Sequence, residues 1–184
     1  MQQPTIFGVI SDTHGLLRPE AVEALRGSDR ILHAGDVGTP EILEALARVA
    51  PVTAIRGNVD TAPWARRLPK TEVIEAGDVS IYMLHDLAQL DLKPAAAGFR
   101  VVIYGHSHQP KIEEKNGVLY FNPGSAGPHR FRLPVSVGRL LHAEGIQAVV
   151  RPECAKQGRV EEEIERIEVW RADEDRAARV KVPE

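Results

Sequence analysis

Five short polar clusters interrupt this 184-residue chain, and each follows an apolar run with the length of a β-strand. They are Asp12-Thr13-His14, Gly35-Asp36, Gly57-Asn58-Val59-Asp60, His85-Asp86 and Gly105-His106-Ser107-His108. Carboxylate, imidazole and amide oxygen are donors that suit hard and borderline metal ions. A fold that ends all five runs at the same edge gathers those donors in one place, where open α/β sheets hold their ligands.

The runs between the clusters predict the elements. Thr5 to Ile10 is too short for a helix and reads as a strand buried on both faces. Pro19 suits the first turn of a helix that opens at Arg18-Pro19-Glu20 and closes at Gly27. Arg30 to Ala34 predicts a second strand. Thr39 is placed as the N-cap of a second helix carrying Ile42, Leu43, Leu46 and Val49. Val52 to Ile55 predicts a third strand, and the β-α-β-α-β order argues for a parallel sheet.

Further on, Glu72 to Glu75 and Val79 to Leu84 read as strands joined by Ala76-Gly77-Asp78. Leu87 to Ala97 reads as a helix bent or broken at Pro94. Arg100 to Tyr104 predicts a buried strand. Two hairpins follow: Lys111 to Glu114 with Val118 to Phe121 around Asn116-Gly117, and Val135 to Leu141 with Ile146 to Arg151 around Ala143-Glu144-Gly145. The expected architecture is mixed α/β: two stacked sheets covered by helices, their strand ends aimed at one site. Residues 1–152 are expected to form this domain. Residues 153–184 are read as a charged extension, in which Val160, Ile164 and Ile167 recur at helical spacing. That helix would pack on the body or on a dimer mate, which leaves a homo-oligomer open.

Composition bounds the partners. With 43% hydrophobic and 27% charged residues the chain can bury a core. A net charge of −3 gives no general attraction to nucleic acid, so attraction for a phosphate ester must be local. Cys154 is the single cysteine, so no internal disulfide forms, which suits a reducing compartment. No apolar run approaches the roughly 20 residues of a membrane span. The expectation is a soluble, cytoplasmic protein.

Asp12 and His14 lie two apart, as do His106 and His108, and alternate residues leaving a strand point the same way. Asp36 and Asn58 each follow a glycine, where the backbone turns sharply and approaches a ligand. Seven groups exceed one tetrahedral ion and suit two ions sharing a carboxylate, for which Asp36 is the natural bridge. Two divalent ions against Asp12 and Asp36 leave a net positive centre that attracts phosphate. Such a pair, roughly 3.5–4 Å apart, activates water and stabilises an in-line displacement.

This ordered set resembles the D-x-H, G-D, G-N-x-D, H and G-H-x-H motifs of calcineurin-like metallophosphoesterases, and most of all the small YfcE-type phosphodiesterase group. Asn122-Pro123-Gly124-Ser125 resembles a further signature of that group. The resemblance spans about residues 5 to 151. It implies a four-layered αββα sandwich and hydrolysis of a small phosphate ester by a hydroxide activated between two metal ions. It implies one ion on Asp12, His14, Asp36 and His108, and the other on Asp36, Asn58, His85 and His106. Asp36, Asn58 and His85 are the candidate catalytic residues. Mixed nitrogen and oxygen donors admit manganese, the first choice, and also iron, nickel or zinc.

Two positions depart from the common pattern. Val59 stands where many relatives have a histidine thought to protonate the leaving group or stabilise the transition state, a histidine that YfcE-type members also lack. Asp86 stands where glycine is frequent, and is read as bonding its own turn or facing solvent. His33, inside a strand, is read as a hydrogen-bonded core histidine, and His142 as a surface residue. Asp60 is read as stabilising its own turn, or bracing a ligand, rather than binding metal. Arg130, with His129, sits on a loop that either reaches the substrate or is solvated. The competing reading is a catalytically weak or inactive interaction scaffold, as in the retromer subunit of similar fold. Loss of ligand histidines would favour it, and none is lost here. A nuclease is disfavoured by the acidic balance and the lack of a basic stripe with interleaved aromatics.

Overall fold

The computed structural model describes residues 5–130, 132–142 and 146–152. The expected C-terminal helix, Cys154 and the turn at Ala143-Glu144-Gly145 lie outside them.

β1 (Thr5–Ile10), β2 (Arg30–His33) and β3 (Val52–Ala54) pair in parallel. The connections carry α1 (Pro19–Ala24) and α2 (Pro40–Ala47), each with proline at its start and a glutamate in the first turn, where the helix dipole favours a negative charge. Thr39 holds the extended N-cap position of α2, but its side chain makes no capping bond. β9 (Ser136–His142) runs antiparallel to β1, and β10 (Ile146–Pro152) runs antiparallel to β9. The first sheet therefore has the order β10-β9-β1-β2-β3.

The second sheet has the order β4-β5-β6-β8-β7. Its members are β4 (Thr71–Ala76), β5 (Val79–Leu84), β6 (Phe99–Ile103), β7 (Lys111–Lys115) and β8 (Val118–Asn122). β5, β6 and β8 are parallel, and β4 and β7 close the edges in antiparallel hairpins. Asn116 and Gly117 both take positive φ, 54° and 72°, as the tight Asn-Gly hairpin turn requires.

The alternation of side chains on each strand builds three apolar layers. Between the sheets lie Phe7, Val9, Leu32 and Ile55 from one side and Ile81, Met83, Ile103, Leu119 and Phe121 from the other. Truncating Phe121, which is fully buried, would cost about 3–5 kcal/mol. Behind the first sheet, Ile10, Ile31 and Val137 meet Leu25 of the turn after α1 and Ile42 and Leu46 of α2. Behind the second, Tyr82, Leu84, Val102 and Tyr104 are covered by Leu87, Leu90, Leu92 and Phe99.

That last cover differs from the helix expected over Leu87 to Ala97. Only Leu87–Gln89 forms a 3₁₀ turn. Asp86 caps it by accepting the Ala88 N–H at 3.0 Å, and Leu90 returns to extended backbone. Pro94 has no N–H to continue a helix, and the chain makes one tight turn there, closed by Phe99 N–H to Pro94 O at 2.9 Å. The outer helical layer on this sheet is thus reduced to short turns.

Parallel strands of both sheets end at one edge. The Gly105 N–H donates to His85 O at 3.0 Å within the second sheet's loops, and His85 Nδ1 meets Ala34 O of the first at 2.8 Å. Every polar cluster named in the sequence emerges at that edge.

Candidate metal centre

The loops that leave the strands carry unusual backbone. Asp12, His14, Asp36, His106 and His108 all have positive φ, between 47° and 66°. For residues with a side chain this left-handed region costs on the order of 1–3 kcal/mol each, and it persists only where surroundings impose it. Here hydrogen bonds impose it: Asp12 N–H to Gly35 O at 3.0 Å, His14 N–H to Asp36 O at 2.9 Å and Gly15 N–H to Val37 O at 2.8 Å. The donors at 12 and 14 thus converge by left-handed turns, not by the strand alternation that their spacing suggested. Glycine is needed where loops touch. A Cβ on Gly57 would collide with the Asp36 carboxylate, and one on Gly35 would lie 2.7 Å from His85 Nδ1.

All seven expected donors come together, in two groups. In the first, Asp12 Oδ1 lies 3.2 Å from His108 Nε2 and 3.9 Å from His14 Nε2. The two imidazole nitrogens are 3.3 Å apart. In the second, Asn58 Oδ1 lies 3.1 Å from both His85 Nε2 and His106 Nδ1. Asp36 Oδ2 joins the groups, 3.3 Å from His85 Nε2 and 3.9 Å from His14 Nε2. Its Oδ1 accepts the Val59 N–H at 3.0 Å.

The donor chemistry fits cations. With Nδ1–H of His85 donating to Ala34 O, its Nε2 presents a lone pair to Asn58 Oδ1 and Asp36 Oδ2. Acceptors facing one another at such distances need a positive charge among them, either a proton or a metal ion. Asp12 Oδ1 is buried and accepts no hydrogen bond, as a carboxylate oxygen reserved for an ion would. Sets of Asp12, His14 and His108, and of Asp12, Asp36 and His85, each bring ligand atoms within 4.8 Å of one another.

The electrostatics follow the same grouping. Burial lowers the pKa of His14 and outweighs the pull of Asp36 and Asp12, and the charge of Arg130 adds to the lowering. Burial would raise Asp36, but a hydrogen bond from His85 in its protonated form and one from the Val59 N–H hold its carboxyl below the usual range. Burial would lower His85, but Asp36 and Ala34 O bond its protonated form and raise it.

Comparison with known proteins accords with this geometry. The family model described as the calcineurin-like phosphoesterase superfamily domain matches residues 6–144. The chain belongs to this superfamily. A probable metallophosphoesterase of Methanocaldococcus jannaschii is 38% identical, over 80% of this chain and 81% of its own. The phosphodiesterase YfcE of Escherichia coli is 30% identical, over 71% of this chain and 84% of its own. Among solved structures, Vps29 of Entamoeba histolytica complexed with zinc superposes with a TM-score of 0.67 at 22% identity, covering 79% of this chain and 91% of that one. That last likeness is one of fold.

In this superfamily member the residues around the donors are braces. Asn122 donates to Gly105 O at 2.8 Å and to Ser107 Oγ at 3.0 Å, and its Oδ1 accepts the Gly124 N–H at 2.8 Å. Ser125 Oγ donates to Asp12 O at 3.0 Å. The Asn-Pro-Gly-Ser segment thus holds the loops of Asp12 and His106. Asp60 is buried and accepts from Val37, Gly38 and Gly57 N–H at 3.1, 2.9 and 2.8 Å. His33 is buried, and its Nε2 lies 2.9 Å from Thr13 Oγ1, which donates to Val37 O at 2.9 Å. Thr13 has one proton to give, so His33 is the donor between them. The sequence reading passed over Thr13, although its place between Asp12 and His14 was a signal that it shapes that turn.

The remaining candidates lie as follows. Asp86 bonds Ala88 N–H and Gln89 Nε2 of its own turn and binds none of the seven donors. His142 is not a free surface residue: its Nε2 lies 2.8 Å from Asp78 Oδ1, tying β9 to the β4–β5 turn. Arg130 and His129 are exposed. Their loop is anchored to the Asp12 loop by Ala126 N–H to Ser11 O at 3.0 Å and to Arg18 Nε by Gly127 O at 3.1 Å. Among the described residues no helix is long and apolar enough to cross a membrane.

Proposed function

We propose that this superfamily member is a metal-dependent phosphoesterase acting on phosphodiesters, with one ion on Asp12, His14, Asp36 and His108 and a second on Asp36, Asn58, His85 and His106. The observation that carries the reading is Asp36 Oδ2, which lies between His14 of one group and His85 of the other. Bound there, two divalent ions would supply an activated water and neutralise phosphate charge. Manganese is the first metal to test, with iron, nickel and zinc as alternatives.

The chain's own groups have distinct tasks. Asn58 turns Oδ1 toward His85 and His106, so its NH₂ is free to donate to a phosphate oxygen. His85 is oriented by Ala34 O, which keeps its Nε2 lone pair on the centre. Arg130, exposed on the anchored loop, would pair with the substrate's phosphate from the His14 side. Val59 is 45% exposed beside Asn58 and offers the leaving group no proton, which favours aryl esters whose leaving groups need none. The activity is assigned to residues 1–152 and to a cytoplasmic setting.

The phosphodiesterase YfcE, named for such an activity, supports this reading over an inactive scaffold. So does the complete set of seven donors. The test is hydrolysis of aryl phosphodiesters and monoesters by protein reconstituted with each metal in turn, with Asp36→Asn as control. Metal-dependent diester cleavage is expected, and full activity in the variant would refute the shared carboxylate.

A further inference from the structure

We infer that Asp60 is a positioning residue that fixes the second ion's subsite by locking the Asp36 and Asn58 loops together; this rests on the two-ion reading above. Both its oxygens are spent on backbone: Oδ2 accepts the Val37 and Gly57 N–H groups, and Oδ1 accepts that of Gly38. Val37 follows Asp36, and Gly57 precedes Asn58. One carboxylate therefore sets the separation of two donors from different strands, the bridging Asp36 Oδ2 and Asn58 Oδ1. Asp60 makes no ion pair among the described residues, so its charge is balanced by these three N–H dipoles. A buried carboxylate is well suited to that role, because one oxygen can accept two donors and each bond is charge-assisted.

Apart from Asp36, which both ions share, the first subsite is held by other means. Asp12 is tied by Gly35 O and by the His106 N–H, and His14 by Asp36 O. His108 arrives on the β6 loop, which Asn122 braces through Ser107 and Gly105. Thr13 Oγ1 and the Gly15 N–H meet the web at Val37 O, on the opposite side of that peptide from Asp60. Asp60 therefore acts on the two groups unequally. An amide in its place keeps one acceptor and turns an NH₂ toward backbone N–H groups, so the Asp36–Asn58 spacing loosens while the Asp12–His14–His108 group stays closed.

The test is calorimetric titration of metal-free protein with Mn²⁺, wild type against Asp60→Asn, with electron paramagnetic resonance of the loaded samples. Two ions are expected in wild type, with a spin-coupled signal. In Asp60→Asn one ion should keep its affinity within about threefold, and the other should lose about 10–100-fold. At two equivalents the uncoupled six-line Mn²⁺ signal should then replace much of the coupled one. Asp60→Glu, which keeps the charge, should fall between the two and decides the matter if Asp60→Asn does not fold. Equal weakening of both ions, or no weakening, overturns the inference. Failure of the two-ion reading itself would show separately, as fewer than two ions in wild type.

Discussion

Asp36 Oδ2 stands 3.3 Å from His85 Nε2, although the two residues leave strands of different sheets. The contact closes the gap between the sheets at the strand ends, and the carboxylate charge sits where both donor groups can use it. Replacing Asp36 by asparagine keeps the size and removes the charge. Diesterase activity should fall by more than about 100-fold, since even indirect partners of a metal site are worth 10–100-fold. Thermal melts with and without Mn²⁺ supply a second check: wild type should gain about 2.7 kcal/mol at metal concentrations 100 times Kd, and the variant much less.

Val59 occupies an exposed place next to Asn58, with its N–H on Asp36 Oδ1. Steady-state rates on aryl and alkyl phosphodiesters should differ widely, because the alkyl leaving group needs a proton. Val59→His should raise the alkyl rate by about 10²-fold, the lower end of the 10²–10⁴ range of general acid help, and change the aryl rate little. Comparable wild-type rates on the two esters would mean that another acid acts.

Arg130 is exposed, and its charge reaches His14. A charge-assisted hydrogen bond to phosphate is worth about 1.5–3 kcal/mol, less where water competes. Arg130→Ala should raise KM for an aryl phosphodiester about tenfold with kcat nearly unchanged. An unchanged KM would take this side chain out of the substrate site.

His33 gives a pH prediction. Burial lowers its pKa from 6.5 to about 4. Between those values the unfolded chain binds the proton and the folded chain does not, so stability rises with pH across the window. On acidification from 6.5 to about 4, this residue should cost up to roughly 3 kcal/mol, with no further loss below. His33→Gln keeps a donor near Nε2 and should flatten the curve by that amount. Urea unfolding of both proteins from pH 7 to 4 checks it, and parallel curves would show that His33 does not titrate as its burial requires.

Much of the fold could be read from local pattern. Thr5 to Ile10 and Val79 to Leu84 are strands because short β-rich runs between breakers have no better option, and Asn116-Gly117 names its own turn. The Leu87 to Ala97 segment misled because its apolar residues have helical spacing. Asp86 capping a single 3₁₀ turn and Pro94 then divert it onto the second sheet as extended cover.

The sequence alone determined which donors exist, in what order they leave the strands, and that glycine precedes Asp36 and Asn58. These are local properties, written in residue type and spacing. Tertiary structure decided how the donors meet. Asp12 and His14 converge because hydrogen bonds to Gly35 O and Asp36 O hold them in left-handed backbone, which spacing in a strand cannot reveal. Asp60 and Thr13 brace the Asp36 loop from two sides because Val37 lies between them in space. A hydrogen bond across more than 20 positions of chain depends on packing, and packing is set by the two sheets together.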